Sequence, residues 1–180
     1  MTTGLDYKVD DLDCMEPKCL NYLNEPGTHW YYHNAAYRLL LDVLDSAYSK
    51  RVNNVTNELL GDKIGMGGTW VNYVRWGKAT DLARYGLFIA AGGRWGDDFK
   101  LDSKYYDAMI NTSQDLNKSY GYLWWLNGKE NYKLPGIDLV FKGPLVPTAP
   151  LDMYAALGKN DQKIYIVPSM KMVVVRVGDD

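Results

Sequence analysis

Three consecutive side chains, Tyr32-His33-Asn34, hold the densest chemistry in this sequence: a phenol, an imidazole and a carboxamide, behind a Pro26-Gly27 turn and ahead of an amphipathic stretch. A phenol can act as an acid or a base, but an unperturbed pKa near 10 means that it needs a neighbouring cation to do so at neutral pH. Asn34 can orient an amide or carbonyl of a bound molecule, and it can also cap the following helix by taking an orphan backbone N–H. His33 titrates in the physiological range, yet its place between the other two reads as a flanking, surface position. A second cluster is Cys14-Met-Glu-Pro-Lys-Cys19. Its readings are a small-loop disulfide, two free thiols, or half of a metal site. A zinc site needs about four ligands and the only histidines are His29 and His33, so no metal and no cofactor is expected.

The elements that must position these groups follow from periodicity. Residues 1–28 are rich in turns. After Asn34, the apolar residues Leu39, Leu40, Val43, Leu44 and Ala47 recur at helical spacing and predict a helix facing a core. A second helix is predicted over Val55–Lys63, ended by Gly65, whose missing Cβ suits a left-handed cap. A third runs over Asp81–Ala91 with Asp81 in its first turn and Gly92-Gly93 as its stop. A fourth, capped by Asp102 or Ser103, passes through Tyr106, Met109 and Ile110. From there the period changes. Ser119–Leu126 reads as an aromatic strand followed by an Asn127-Gly128 hairpin turn. Leu134–Pro150 holds four of the seven prolines and reads as a loop. Lys163–Val167 and Met170–Val177 read as strands around Pro168-Ser169. The run Met172–Val175 suggests an inner strand covered on both faces. Helices first and strands last, without repeat or linker, predict an α+β fold with an antiparallel sheet.

Bulk properties narrow the class. At 180 residues, one domain is the default, and 47% apolar with 23% charged residues fits a globular chain. A net charge of −2 and no basic run argue against nucleic acid. No apolar stretch approaches the ~20 residues of a membrane span. Fifteen tyrosines and six tryptophans beside three phenylalanines suit either a half-wet groove or a core whose aromatics carry polar tips.

The order of landmarks along the chain resembles the serine β-lactamase and penicillin-binding-protein superfamily, in its class C and esterase-like branch. The landmarks are Met1-Thr2-Thr3-Gly4-Leu5, Pro26-Gly27, Tyr32-x-Asn34 and Ala83-Arg84-Tyr85-Gly86-Leu87. They continue through Ser119-Tyr120-Gly121-Tyr122 with Trp124-Trp125, and Ile166-Val167-Pro168 before Val173–Val175. The first of these is similar to the second half of a Leu-Leu-x-Met-Thr-Ser-Gly-Leu segment that lies well inside family sequences, so Met1 is read as an internal methionine. The absent leader then says nothing of location, and the parent protein is expected in the periplasm or secreted. The resemblance covers essentially the whole chain and implies a helical lobe beside an antiparallel sheet, incomplete at both ends: residues 1–180 as a partial domain.

In that family, the nucleophile is the serine of Ser-x-x-Lys at the start of a helix. No Ser or Thr of this sequence has lysine three positions later. The resemblance further implies Tyr32 as general acid/base and Asn34 as a substrate-holding amide. It places Ala156-Leu157-Gly158 where the family carries Lys-Thr-Gly or His-x-Gly. Leu157, Gly158 and Lys159 are then substrate-side residues, although Ala156 removes the usual polar group. Trp124 is a further substrate-binding candidate, with Trp125, Tyr122, Trp76 and Trp30 as other aromatics of the cleft. Arg75 and Arg84 read as structural ion-pair partners. The expected function is a fragment of a serine hydrolase acting on an amide, ester or lactam through an acyl-enzyme, inactive alone, with a small-molecule or peptide substrate. The alternatives are a non-catalytic domain whose aromatic cleft binds peptide or glycan, and a truncated product without function. Self-association of the incomplete chain is also expected.

Overall fold

A computed structural model describes residues 1–97 and 99–178. The first 33 residues are extended segments and turns. Leu5 bridges Tyr22, and the 3₁₀ turn Pro17–Cys19 brings Cys19 to Cys14, which it meets in a disulfide with Cα atoms 6.0 Å apart. Of the open readings of this cysteine pair, the disulfide is the one found.

Helix α1 spans Asn34–Tyr48, with His33 as the extended residue before it and a left-handed Ser49 after it. Asn34 is therefore the first helical residue and not the cap. Its amide instead donates to the Asp13 carboxylate at 2.5 Å, and the same carboxylate pairs with Arg38 one turn on. A second departure is larger. The apolar stripe of α1 does not face a core: Leu40, Val43 and Leu44 are exposed. Periodicity shows that a helix has an apolar face; it does not show what covers that face.

Helices α2 (Val52–Thr56) and α3 (Asp62–Ile64) are joined by a π-helical turn at Asn57–Gly61, and Gly65 ends the run at φ 67°. Strands β1 (Thr69–Val71) and β2 (Val74–Trp76) form a hairpin turning at Asn72 and Tyr73, both left-handed, the twist that two-residue hairpins prefer. Arg75 and Arg84 donate to the Gly67 and Ile64 carbonyls, and Arg75 also attracts the Asp81 carboxylate. Helix α4 spans Ala79–Ala90. Asp81 accepts the Lys78 and Gly67 backbone N–H groups, which lower its carboxyl pKa. After Gly92-Gly93 come the short strands β3 (Arg94–Trp95) and β4 (Phe99–Lys100), then α5 (Ser103–Met109), capped by Asp102.

The predicted strand over Ser119–Leu126 is regular only in β5 (Trp125–Leu126). Tyr120 folds back to bridge Trp125 around a turn with Leu123 at φ 64°. Gly121 sits where a Cβ would lie 2.1 Å from the Met109 carbonyl, so no larger residue fits this turn. Asn127-Gly128 turns the chain but joins no paired strands. The buried Asn127 side chain instead pins the Val146–Pro150 segment through hydrogen bonds to Val146, Ala149 and Pro150. The predicted loop Leu134–Pro150 contains a strand: β6 (Asn131–Leu134) and β7 (Ile137–Lys142) form a hairpin around Pro135-Gly136.

Strands β8 (Tyr154–Leu157), β9 (Lys163–Val167) and β10 (Met172–Arg176) complete an antiparallel sheet of order β10-β9-β8-β5. β10 is therefore an edge strand, and its burial alternates. Val173 and Val175 pack inward while Met172 and Val174 face out, in place of the two-sided cover expected from its apolar run. α4 lies across β9 and β10, and Gly86 lets it approach, since a Cβ there would fall 2.6 Å from Val173. Between helix and sheet, Phe88, Ile89, Ile164, Ile166, Trp124 and Leu126 form the main core. This is an α+β architecture with antiparallel sheets beside a helical part. Among the described residues no helix is long and apolar enough to cross a membrane.

Candidate functional site

A second, smaller cluster lies on the other side of β5, and Tyr32 belongs to it. Adjacent strand residues point to opposite faces. Trp124 therefore enters the main core against Tyr85 and Tyr154, while Trp125 joins Trp30 and Tyr120. Tyr32 stacks on Trp125 with ring centroids 5.8 Å apart and planes 11° off parallel. Tyr120 stands edge-on to Trp125 at 4.8 Å and to Trp30 at 5.4 Å. Such aromatic pairs contribute about 0.5–1.5 kcal/mol each beyond the area they bury. Leu157, at the end of β8, packs against the same group.

The structure thus brings Tyr32 and Leu157 onto one cluster. Asn34 starts the helix beside it but is tied to Asp13. Gly158 follows Leu157 and closes the β8–β9 hairpin by donating to the Gln162 carbonyl at 2.7 Å, and Lys159 is exposed at the hairpin tip. Trp124 is not part of the cluster, and Trp76 is exposed elsewhere. His33, expected at the surface, is buried: its ring sits near the Asp6 main chain, and desolvation lowers its pKa.

The electrostatics of Tyr32 are those of a protonated phenol. Burial, followed by the neighbouring Tyr37, pushes its pKa up to about 12, while the Tyr120 hydroxyl, which donates to it, pulls the other way. Burial and Tyr32 raise Tyr120 as well. Ionising Tyr32 at pH 7 would cost about 7 kcal/mol at 1.36 kcal/mol per unit. The Tyr120 hydroxyl offsets only part of the effect of burial. Beside it lies a cavity of about 390 Å³, walled by Trp30, Leu40, Tyr105, Tyr120 and Tyr122. The buried Trp30 Nε1 has no hydrogen-bond partner among the described residues.

One functional support was missed in the sequence. Lys133 lies in β6, just before the stretch whose prolines suggest a loop, and it is buried. Its ammonium donates to the Trp30 carbonyl at 2.9 Å and to Asp138 Oδ1 at 2.6 Å. Asp138 also receives the Tyr7 hydroxyl at 3.0 Å and lies 3.2 Å from His29 Nε2. Burial on its own would raise the Asp138 carboxyl; Lys133, Tyr7 and His29 outweigh it and hold the pKa below the ordinary value. Buried Asn117 accepts the Lys133 and Ser119 N–H groups and donates to the Lys133 carbonyl. The segment Trp30–Tyr32 is thereby fastened to the β6–β7 hairpin. A lysine two residues from a Pro-Gly turn gives no sequence signal of burial. Among the described residues, no group of three or more His, Cys, Asp and Glu is placed to hold a metal ion.

The sequence matches no protein-family model and no curated protein. The fold has clear counterparts among solved structures. A Bacillus anthracis protein named for 6-aminohexanoate-dimer hydrolase activity superposes with a TM-score of 0.66 at 19% identity, over 88% of this chain and 40% of its own. A Bacteroides dorei DSM 17855 protein named as a β-lactamase gives 0.64 at 16% identity, over 98% and 61%. A β-lactamase from Mycobacterium bovis gives 0.70 at 13% identity, over 99% and 64%. The chain spans 40 to 64% of the length of these proteins. At such identities the likeness concerns architecture, and on that evidence the described chain has a β-lactamase-like fold.

Proposed function

We propose that this chain is part of a β-lactamase-related serine hydrolase that cleaves an amide, ester or lactam through an acyl-enzyme, and that it does not turn over substrate by itself. The observation that carries this reading is the convergence of Tyr32 and Leu157 on one aromatic cluster, with Gly158 next in line. In the proposed reaction a serine outside these 180 residues attacks the substrate carbonyl carbon. Tyr32 takes the serine proton and passes it to the leaving group, and water then releases the acyl group from the serine. For this, Tyr32 needs a cation that brings its pKa far down from about 12. The lysine of a Ser-x-x-Lys segment would supply it. Asn34 would hold the substrate's amide or carbonyl on release from Asp13, and backbone N–H groups near Gly158 and Lys159 would face the developing oxyanion. Trp124, buried in the main core, would act through Trp125 and not by touching substrate.

The test is reconstitution with a Ser-x-x-Lys-bearing segment of a β-lactamase-like protein, read by a fluorophosphonate probe. Labelling of that segment's serine only when both pieces are present supports the proposal; equal labelling without the 180-residue chain rejects it. A second reading, a non-catalytic domain for peptide or glycan, is favoured by the phenolic state of Tyr32 and the aromatic-walled cavity.

A further inference from the structure

The Cys14–Cys19 disulfide lies one residue from a side chain that holds Asn34. Asp13 precedes Cys14, and its carboxylate takes the Asn34 amide at 2.5 Å and Arg38 at 3.3 Å. Arg38 in turn bonds the Tyr37 hydroxyl, and the Tyr37 ring lies 5.7 Å from that of Tyr32. Among the described hydrogen bonds and ion pairs, residues 9–20 reach beyond their own neighbours only through Asp13 and through the Leu12 carbonyl, which accepts the Ala35 N–H at 3.0 Å. The bonds inside the segment are those of short turns: the Asp13 N–H donates to the Asp11 carboxylate and the Cys19 N–H to the Glu16 carbonyl, both at 2.8 Å. The disulfide is the covalent tie that closes the 14–19 loop, and closing a loop narrows the positions open to the residues at its mouth, Asp13 among them. Both cysteines are half-buried and Glu16–Lys18 between them are exposed, so a thiolate can reach the bond.

From this we infer that the disulfide is a redox lock on Asn34: closed, it holds Asp13 on the Asn34 amide; opened, it frees that amide for substrate. The inference rests on the proposed substrate role of Asn34 and adds its regulation. The opening step is thiol–disulfide exchange with a dithiol reductant. One thiolate of the reductant attacks the Sγ of Cys14 or Cys19 and forms a mixed disulfide, while the other cysteine sulfur leaves as a thiolate. The second thiolate of the reductant then displaces the cysteine it was bound to. Two electrons pass to the protein, the reductant departs as its own disulfide, and its two protons convert the freed thiolates to thiols. At the site, the change is the freedom of one carboxylate, the kind of local event through which redox switches act. Linkage makes the effect reciprocal. If closing the disulfide strengthens the Asp13–Asn34 contact, that contact stabilises the disulfide by the same factor.

The experiment equilibrates the chain in glutathione redox buffers and follows the isotope-labelled protein by NMR before and after dithiothreitol. Asn34→Ala and Asp13→Ala remove the two ends of the contact. Each should make the disulfide easier to reduce by about fivefold or more in its equilibrium constant. The double variant should match Asp13→Ala and go no further, because both changes delete one contact. In the native chain, the Asn34 side-chain amide protons should exchange with solvent about fivefold faster or more once the disulfide is reduced, while the rest of the spectrum stays dispersed. A redox equilibrium unchanged in both variants, effects that add in the double variant, or an Asn34 amide indifferent to dithiothreitol overturns the inference. So does loss of the dispersed spectrum on reduction, which would make the disulfide a staple of the whole fold. No turnover is read and no Ser-x-x-Lys segment is present, so failure here leaves the hydrolase proposal standing, and failure of reconstitution leaves the lock testable.

Discussion

Replacing Lys133 by methionine isolates the interaction that anchors the Tyr32 segment. The side chain is 7% accessible, and methionine keeps its apolar stem while deleting the charge. Two groups lose a partner. The Trp30 carbonyl is left without its ammonium donor, which costs about 1–3 kcal/mol for a buried acceptor. Asp138 loses its ion pair, for which a fully buried case would cost about 3–5 kcal/mol. Its carboxylate is 34% accessible and keeps Tyr7, so water and that hydroxyl offset much of the loss. The combined expectation is about 3 kcal/mol. With a urea slope of about 2 kcal/mol/M, the unfolding midpoint followed by tryptophan fluorescence should fall by about 1.5 M. The effect has a defined pH dependence. Because the folded Asp138 pKa lies below its unfolded value, the carboxylate's stabilisation is present above pH ~4 and is lost as pH falls through the folded value. The gap between wild type and Lys133→Met should therefore narrow below pH ~4. A loss under about 1 kcal/mol at pH 7, or a gap unchanged at pH ~3, would refute the argument that this pair fastens the segment.

Three further outcomes follow from the same structure. The 180-residue chain should not hydrolyse nitrocefin or p-nitrophenyl esters above background, and a fluorophosphonate should label no serine; stoichiometric labelling would reveal a nucleophile of its own. Gly121→Ala should destabilise by about 3 kcal/mol in urea melts, since its Cβ meets the Met109 carbonyl, which also accepts the Tyr122 N–H at 3.0 Å; a change within about 0.5 kcal/mol would mean that the turn relaxes freely. The chain should self-associate through the open edge of β10, and Val174→Lys should shift its sedimentation toward the monomer, because an edge lysine opposes strand addition.

The helices are legible because their signals are local. Asp102 accepts the N–H three residues on as the sequence suggests, and Gly65, Gly92 and Gly93 stand at the left-handed positions that end helices. Lys163–Val167 and the strand after Pro168 are equally plain. Properties set by partners distant in sequence are not. The apolar run of β10 suggests two covered faces, but its place at the sheet edge leaves one face open. β7 carries mostly exposed residues between prolines and so gives no burial pattern to read. At the site, the proximity of Tyr32 to Leu157 follows from family resemblance and not from spacing. Trp124 and Trp125 cannot be assigned to opposite faces until the register of β5 against β8 is known. Asn34 shows the same limit from the other side: its type suits a cap, but Asp13, twenty-one positions earlier, takes the side chain.

The most direct measurement of the central claim is turnover by the reconstituted protein, compared between the native chain and its Tyr32→Phe variant. With the Ser-x-x-Lys segment present, an ester or amide probe should be hydrolysed. Tyr32→Phe should reduce the rate by about 10²–10⁴-fold, the usual contribution of a general acid/base, while serine labelling persists at a reduced rate. Turnover that falls less than about threefold in Tyr32→Phe would contradict the account, because the proton would then pass through another group.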